Sequence, residues 1–335
     1  MDNINKIAIL RALQLGDMLC MIPAVRAIKK AYPQAEITLL GLPGKENFVQ
    51  RFNHYFSRLL PFPGWPGLPE QEADPAGIAR FLLDAQQEQF DLVLQMQGSG
   101  AHTNDCCFLL NGRITAGLRA AGVWAPNETL FPLMTESEHE ILRLLKIVHA
   151  LDIPIDGTAL EFPIHAEEYA GAGMIMELLN LQAGNYICLH PGARDPRRRW
   201  SAAHFAAVGD ALAAMGHTIV VTGAAEEAAL TQAVTAQMQY PAIDLVAQAG
   251  QTTIGEMAAL IQSSQLLLSN DTGVSHIAAA LCIPSVIIFS DYSDPGRWAP
   301  LNDQLHTVVT AAQANNLAYV ADKCVGKINV NSLKV

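Results

Sequence analysis

The amino-acid sequence predicts an α/β protein made of two doubly wound, Rossmann-like domains facing a central cleft. Three observations carry that reading. Short apolar segments alternate with helical ones along the chain, the pattern of parallel sheets covered by helices on both faces. The chain has 335 residues, about twice what an ordinary single core accommodates. Polar, glycine-containing clusters follow several apolar segments directly, at the points where a strand hands over to a helix.

The elements follow in order. "KIAILRA" (6–12) is short and apolar and reads as the first strand. "LGD" turns the chain, and 18–31 has helical spacing that ends before Pro33. Pro23 removes one backbone bond, so a kink or loose first turn is expected there. "AEITLLG" (35–41) and "FDLVLQM" (90–96) are further strands, and "RITAGL" (113–118) a weaker one. Between them "PFPGWPGLPE" (61–70) is too rich in Pro and Gly for regular structure and reads as a long surface loop. The helix 136–153 closes the first half, and 154–163 has the character of a connection. The second half is more regular. "YICLH" (186–190) is a strand, 201–216 a helix with Ser201 as N-cap and Gly216 as its stop, and "HTIVVTG" (217–223) the next strand. The alternation continues through "AIDLVAQ" (242–248), helix 253–262, "QLLLS" (265–269), helix 274–282 and "SVIIF" (285–289).

Composition excludes several classes. A formal charge of −11 leaves no dense Lys/Arg field, so a nucleic-acid partner is not expected. The six cysteines include no C-x-x-C pair and sit mostly in apolar surroundings, which indicates neither a disulfide framework nor a zinc ribbon and fits a reducing cytosol. Arg11 and Asp17 interrupt the apolar N-terminal run before a signal-peptide core is complete. No window reaches the roughly 18 uncharged apolar residues of a membrane span. The expectation is a soluble cytoplasmic protein able to dock peripherally on a bilayer.

The stretch "LLLSNDTGVSHIAAAL" (266–281) places a polar island between two buried-looking segments. Where a strand turns into a helix, backbone N–H groups lack partners and favour an anion. Thr272, Gly273 and Val274 would meet a diphosphate there, with Asp271 and His276 beside them. Two other strand ends carry comparable signals. After "YICLH" comes "PGARDPRRRW", where Gly192 lets backbone approach a ligand and Arg194, Arg197, Arg198 and Arg199 supply positive charge. After "HTIVVT" comes "GAAEE", where Glu226 is placed to accept hydrogen bonds from a ribose. Each has a plainer reading: a solvated arginine face, a helix cap at Asp271 and Thr272, a helix-dipole partner at Glu226, an ordinary half-buried His276.

In the first half, Asp17 follows the first strand and is either the N-cap of the next helix or a general base. A free aspartate, with a pKa of about 3.9, is a weak base toward an alcohol, so proton transfer would come late, with leaving-group departure. Gly98, Ser99 and Gly100 follow the strand 90–96 and either admit an acceptor or make a turn. The chain has no G-x-G-x-x-G after its first strand, no P-loop, no G-x-S-x-G and no D-x-D. Dinucleotide, P-loop and serine-hydrolase readings are therefore weak, and neither a metal site nor a cofactor is expected. Arginines and helix dipoles would neutralise a departing diphosphate.

Together these residues resemble glycosyltransferase family 9, the ADP-heptose:lipopolysaccharide heptosyltransferase-like enzymes. The resemblance spans nearly the whole chain: "RALQLGDMLCMIPAVRAIKKAYPQAEITLL" is similar to the family's N-terminal R-x-x-x-x-G-D signature, "HPGARDPRRRW" to its donor-phosphate loop, and "NDTGVSHIAAAL" with "DPGRWAP" to its C-terminal signature. It implies a GT-B fold, inverting and metal-independent, with an acceptor-binding domain over 1–165, a nucleotide-sugar domain over 166–310 and a segment 311–335 that crosses back to the first. It implies Asp17 as base. Arg198 stands where many members carry a phosphate-binding lysine, and Gly192, Glu226 (or Glu227 in the next register), Asp271, Thr272, Gly273 and His276 correspond to donor contacts. Arg11, Gly98, Ser99 and Gly100 are candidate acceptor contacts. The partners implied are a nucleotide sugar, ADP-linked, and a glycolipid or saccharide acceptor. The alternatives are a nucleotide-sugar epimerase of similar form and a non-catalytic nucleotide-sugar-binding protein.

Overall fold

The computed structural model describes residues 3–332. The chain divides into two compact units, Met1–Ala159 and Leu160–Val335, so the break falls slightly before the expected boundary at 165. In the first unit the order is β1 (Lys6–Leu10), α1 (Leu15–Ala31), β2 (Glu36–Gly41), α2 (Glu46–Arg51), β3 (Arg58–Pro61), α3 (Pro75–Gln87), β4 (Leu92–Gln95), α4 (Asn104–Leu109), β5 (Ile114–Gly117) and α5 (Glu140–Ala150). All strand pairs are parallel and the sheet order is β3-β2-β1-β4-β5. Strand β1 is buried but for its first residue and β4 throughout, which is why both read as unbroken apolar runs.

In the second unit the order is α6 (Ala166–Leu178), β6 (Tyr186–His190), α7 (Ala202–Ala213), β7 (Thr218–Val221), α8 (Ala228–Thr235), β8 (Ile243–Asp244), α9 (Leu245–Ala249), α10 (Ile254–Gln262), β9 (Leu266–Asn270), α11 (Gly273–Ala280), β10 (Ser285–Phe289), α12 (Pro295–Trp298), β11 (His306–Thr310), α13 (Ala311–Ala314) and α14 (Leu317–Ser332). Its sheet, again wholly parallel, runs β11-β10-β9-β6-β7-β8. Counted from β6, that is the 3-2-1-4-5-6 order of a dinucleotide-type Rossmann sheet. The expected caps of α7 are in place. The Ser201 side chain accepts from His204 N at 3.2 Å, and Gly216 takes a positive φ of 96° just beyond the helix.

Four local expectations change. "AIDLVAQ" contributes only a two-residue strand, because the Asp244 carboxylate accepts from Ala247 N at 3.1 Å and starts α9. The loop 61–70 is not simply surface: Phe62 and Trp65 are buried in the first unit's core with Phe81 and Leu42. Pro23 lies inside an unbroken α1. The segment 311–335, expected to cross back, packs on the second sheet over its described part. α14 lies against α7, β9 and β10, with Val320, Ala321, Cys324 and Ile328 in the same core as Phe205 and Val286. That apolar face is what the second sheet offers it to bury. Residues 333–335 of the segment lie outside the described residues.

Candidate active site

In a doubly wound sheet, the loops that open a crevice follow the two strands where the order reverses. In the second unit those strands are β6 and β9, which bring "PGARDPRRRW" and "NDTG" to one place at one edge. Asn270 joins them. Its Oδ1 accepts from Trp200 N at 2.9 Å and its Nδ2 donates to Pro191 O at 2.8 Å, in a fully buried position. In the sequence Asn270 stands out only as part of the polar island, because its partners are 70 and 79 residues away.

Next to Asn270, Asp271 is 3 % exposed and its Oδ2 lies 3.5 Å from Nη1 of Arg198, whose side chain is 36 % exposed. The Ser293 hydroxyl, from the loop after β10, donates to the same carboxylate oxygen. Asp271 is thus neither exposed nor a helix cap. It holds one arginine of the run and leaves part of that side chain at the surface. The two neighbours of Arg198 are engaged elsewhere: Arg197 pairs with Asp195 at 2.7 Å and lies over Tyr292, and Arg199 donates to Ala193 O, while Arg194 is exposed. Thr272 is the N-cap of α11 and makes no side-chain capping bond, so the helix presents its amide end beside Arg198. His276, on the next turn, is buried with its ring edge-on to Trp298 at 6.3 Å, which brings "DPGRWAP" into the same cluster.

In the loop after β7, it is Glu227 whose carboxylate packs at position 192. Glu227 accepts from Ala224 N at 3.0 Å, and a Cβ at position 192 would overlap its carboxylate. Glycine at 192 therefore makes room for Glu227. Glu226 is exposed. His190, which the sequence marks only as a strand residue, is buried at the end of β6 with Nδ1 3.0 Å from Thr222 Oγ1. Burial pushes its pKa down, and the charge of Glu227 opposes that.

In the first unit the order reverses between β1 and β4. Asp17 lies in the first turn of α1, whose N-cap is Gln14, so it is not the cap. Its carboxylate is 24 % exposed and 3.8 Å from Arg11 Nη2. Arg11, a candidate acceptor contact, offers almost no surface to one. It is buried and bonded to the Asp17 carbonyl, Met96 O and Glu140. After β4, the Gln97 side chain accepts from Ala12 N at 2.6 Å, which ties the two strand ends together. Gly98 is exposed with open space where a Cβ would stand. Gly100 is buried against Asn104, whose Nδ2 donates to Trp124 O at 2.9 Å. Of the loop, then, Gly98 borders free space, Ser99 bonds Ala120 N through its carbonyl at 2.9 Å, and Gly100 serves packing.

Residues 78–325 match the model of glycosyltransferase family 9, the heptosyltransferases. The chain belongs to that family. It is 27% identical over 306 residues to lipopolysaccharide heptosyltransferase 3 of Escherichia coli, covering 87% of this chain and 84% of the relative. Among solved structures, the family 9 glycosyltransferase of Veillonella parvula superposes with a TM-score of 0.76 at 19% identity, over 99% of this chain and 98% of the other. The E. coli ADP-heptose lps heptosyltransferase II does so with 0.73 at 18% identity, over 98% and 99%. The family 9 chain is thus a glycosyltransferase with the two parallel-sheet, Rossmann-like domains of the GT-B class. Among the described residues no helix is long and apolar enough to cross a membrane.

Proposed function

We propose that this enzyme moves heptose from ADP-heptose to a lipopolysaccharide-core acceptor, with inversion at the anomeric carbon and without a metal ion. Family membership supports sugar transfer, and the names of the relatives supply the donor and acceptor class. The observation that carries the reading is the union of Arg198, the Asp271 carboxylate that holds it, and the amide end of α11, which the Thr272 side chain does not cap. Guanidinium and helix amides are both suited to a diphosphate. As the sugar leaves, negative charge grows on the diphosphate, and those groups would stabilise it where a metal otherwise would. Thr272, Gly273 and His276 complete the phosphate and sugar contacts in this reading. Glu227, with Glu226 as the other register, binds the ribose.

Asp17 is assigned as the base. An acceptor oxygen forms a bond to the anomeric carbon while the bond from that carbon to the ADP oxygen breaks, and the acceptor proton passes to the Asp17 carboxylate. Gly98 and the main chain around Ser99 border the acceptor. The enzyme would work at the cytoplasmic face of the inner membrane, touching it peripherally.

The test is product analysis. Protein incubated with ADP-heptose and a truncated lipopolysaccharide core, with EDTA present, is expected to add one heptose to the core and release ADP, with the anomeric configuration inverted by NMR. Conversion of the donor with no acceptor present would favour the epimerase. Saturable donor binding without turnover on any core would favour a binding protein. Turnover abolished by EDTA and restored by a divalent cation would remove metal independence.

A further inference from the structure

We propose that Arg11 and Glu140 form a dry clamp that fixes where the Asp17 carboxylate sits; the proposal rests on the reading of Asp17 as the base. Its starting point is the charge buried behind the first sheet's crevice. Arg11, Glu140 and Arg143 are each 1 % exposed, so two guanidinium groups and a carboxylate have left water. An apolar trio of similar volume is commonly as stable or more so. Stability alone does not account for such a cluster, and what it grips becomes informative.

Arg11 leaves the carboxyl end of β1 and directs its donors three ways. Nε and Nη2 both reach the main-chain carbonyl of Asp17, at 3.1 and 2.9 Å. Nη1 donates to Met96 O at the end of β4. Nη2 also meets Glu140 Oε1 at 2.8 Å. Glu140 opens α5, and Arg143, one turn on, pairs with its other oxygen. Two strand ends and the start of α5 are thereby tied to the first turn of α1, which has no side-chain cap of its own. A planar guanidinium fixes the position of its acceptors through several donors at set angles, which a lysine's single ammonium does not. The group held stays reachable. The Asp17 carboxylate is 24 % exposed, and its Oδ1 is 3.8 Å from Nη2, beyond hydrogen-bond length. Arg11 is thus a positioning residue: it touches the backbone of the base and no reacting atom.

The experiment is a double-mutant cycle on the full chain with ADP-heptose and a truncated core. Arg11→Lys is expected to lower kcat by roughly 10²-fold, the cost of about an ångström of misplacement, with KM for ADP-heptose nearly unchanged. In an Asp17→Ala background the same change should cost nothing further, because no carboxylate remains to be placed. Losses that multiply in that background, an unchanged kcat, or a loss confined to KM would overturn the clamp. Glu140→Gln keeps an acceptor for Arg11 and serves where Arg11→Lys does not fold; its smaller loss of kcat should vanish in the Asp17→Ala background too, and multiplication there would equally overturn the clamp. Full turnover in Asp17→Ala alone would remove the base assignment and the clamp with it. A damaged Asp17→Ala enzyme with multiplying losses would remove the clamp only.

Discussion

Glu226 and Glu227 differ by one position, and the difference separates a solvated carboxylate from one packed over Gly192. Hydrogen bonds to a charged group contribute about 1.5–3 kcal/mol each, so Glu227→Gln is expected to weaken ADP binding by roughly tenfold or more. Glu226→Gln should leave it unchanged. Calorimetric titration of ADP into the two variants decides the register. The same scale bears on Arg198. Arg198→Ala is expected to reduce donor affinity and turnover together, and Arg198→Lys to recover only part, since a point charge replaces a fork that Asp271 orients. Steady-state kinetics on both variants checks this, and full recovery by lysine would mean that charge alone matters. At this scale the sequence is informative where residues cluster in a single loop. Thr272, Gly273 and His276 can be read from one short stretch, but Met96 and Glu140, the distant partners of Arg11, lie 85 and 129 residues away. A buried ion network leaves no periodic trace in sequence, so Arg11 shows there only as a signature residue and a candidate acceptor contact.

At the level of elements, the loop after β4 holds two glycines under different constraints. Gly98 has φ 65° and open space, and Gly100 has φ 83° with a notional Cβ 2.6 Å from Leu118 O and overlapping Asn104. Gly98→Ala should cost about 1 kcal/mol for the left-handed backbone alone. Gly100→Ala adds a collision with backbone that cannot yield, so it should cost more, roughly 2–4 kcal/mol. Chemical denaturation ranks the two. A second element-level expectation concerns pH. His306, at the start of β11, is buried against Ser285 Oγ at 2.8 Å. Burial, with Lys327 adding to it, pushes its pKa down to about 4. The unfolded chain takes up this proton at about pH 6.5 and the folded chain does so only at about 4. Stability from this group is therefore complete above about pH 6.5, falls as pH drops toward the folded value, and changes no further below that. His306→Gln should flatten the pH dependence of stability over that window; an unchanged slope would assign it to other groups.

Elements are legible where their own residues decide them and illegible where neighbours do. "YICLH" and "SVIIF" are buried throughout and could only be interior strands. Strand β3 is hidden in the sequence because its four residues run straight into the proline-rich loop, and its register beside β2 is what makes it a strand. In "AIDLVAQ" the β-branched start does form a strand, but Asp244 as a cap outweighs the apolar run behind it. Proline and glycine in 61–70 exclude regular structure beyond Pro61, the last residue of β3. They say nothing about burial, which Phe62 and Trp65 bring from their own apolar surface.

For the whole molecule, a net charge of −11 coexists with a site proposed to bind an anion, so the local field from Arg198 and α11 must outweigh the global one. Added salt should then alter donor affinity only modestly, as screening weakens distant repulsion and local attraction together. The division into two compact units is foreshadowed by length and by the restart of strand–helix alternation after α6, a whole-chain signal that survives local misreadings. It carries a thermodynamic expectation. ADP binds the native second unit in this account, and ligand at 100 times Kd adds about 2.7 kcal/mol. If heating resolves two transitions, ADP should raise the one that belongs to Leu160–Val335, as followed by proteolysis during a thermal scan.

The account turns on Asp17 acting in chemistry and not in donor capture. The most direct measurement is single-turnover transfer from ADP-heptose to a lipopolysaccharide core by the wild type and by Asp17→Asn, with the Kd of ADP-heptose determined for both. An unchanged Kd with transfer slowed by roughly 10²–10⁴-fold is the predicted result. Equal transfer rates, or a slowing that disappears at saturating donor, would contradict it.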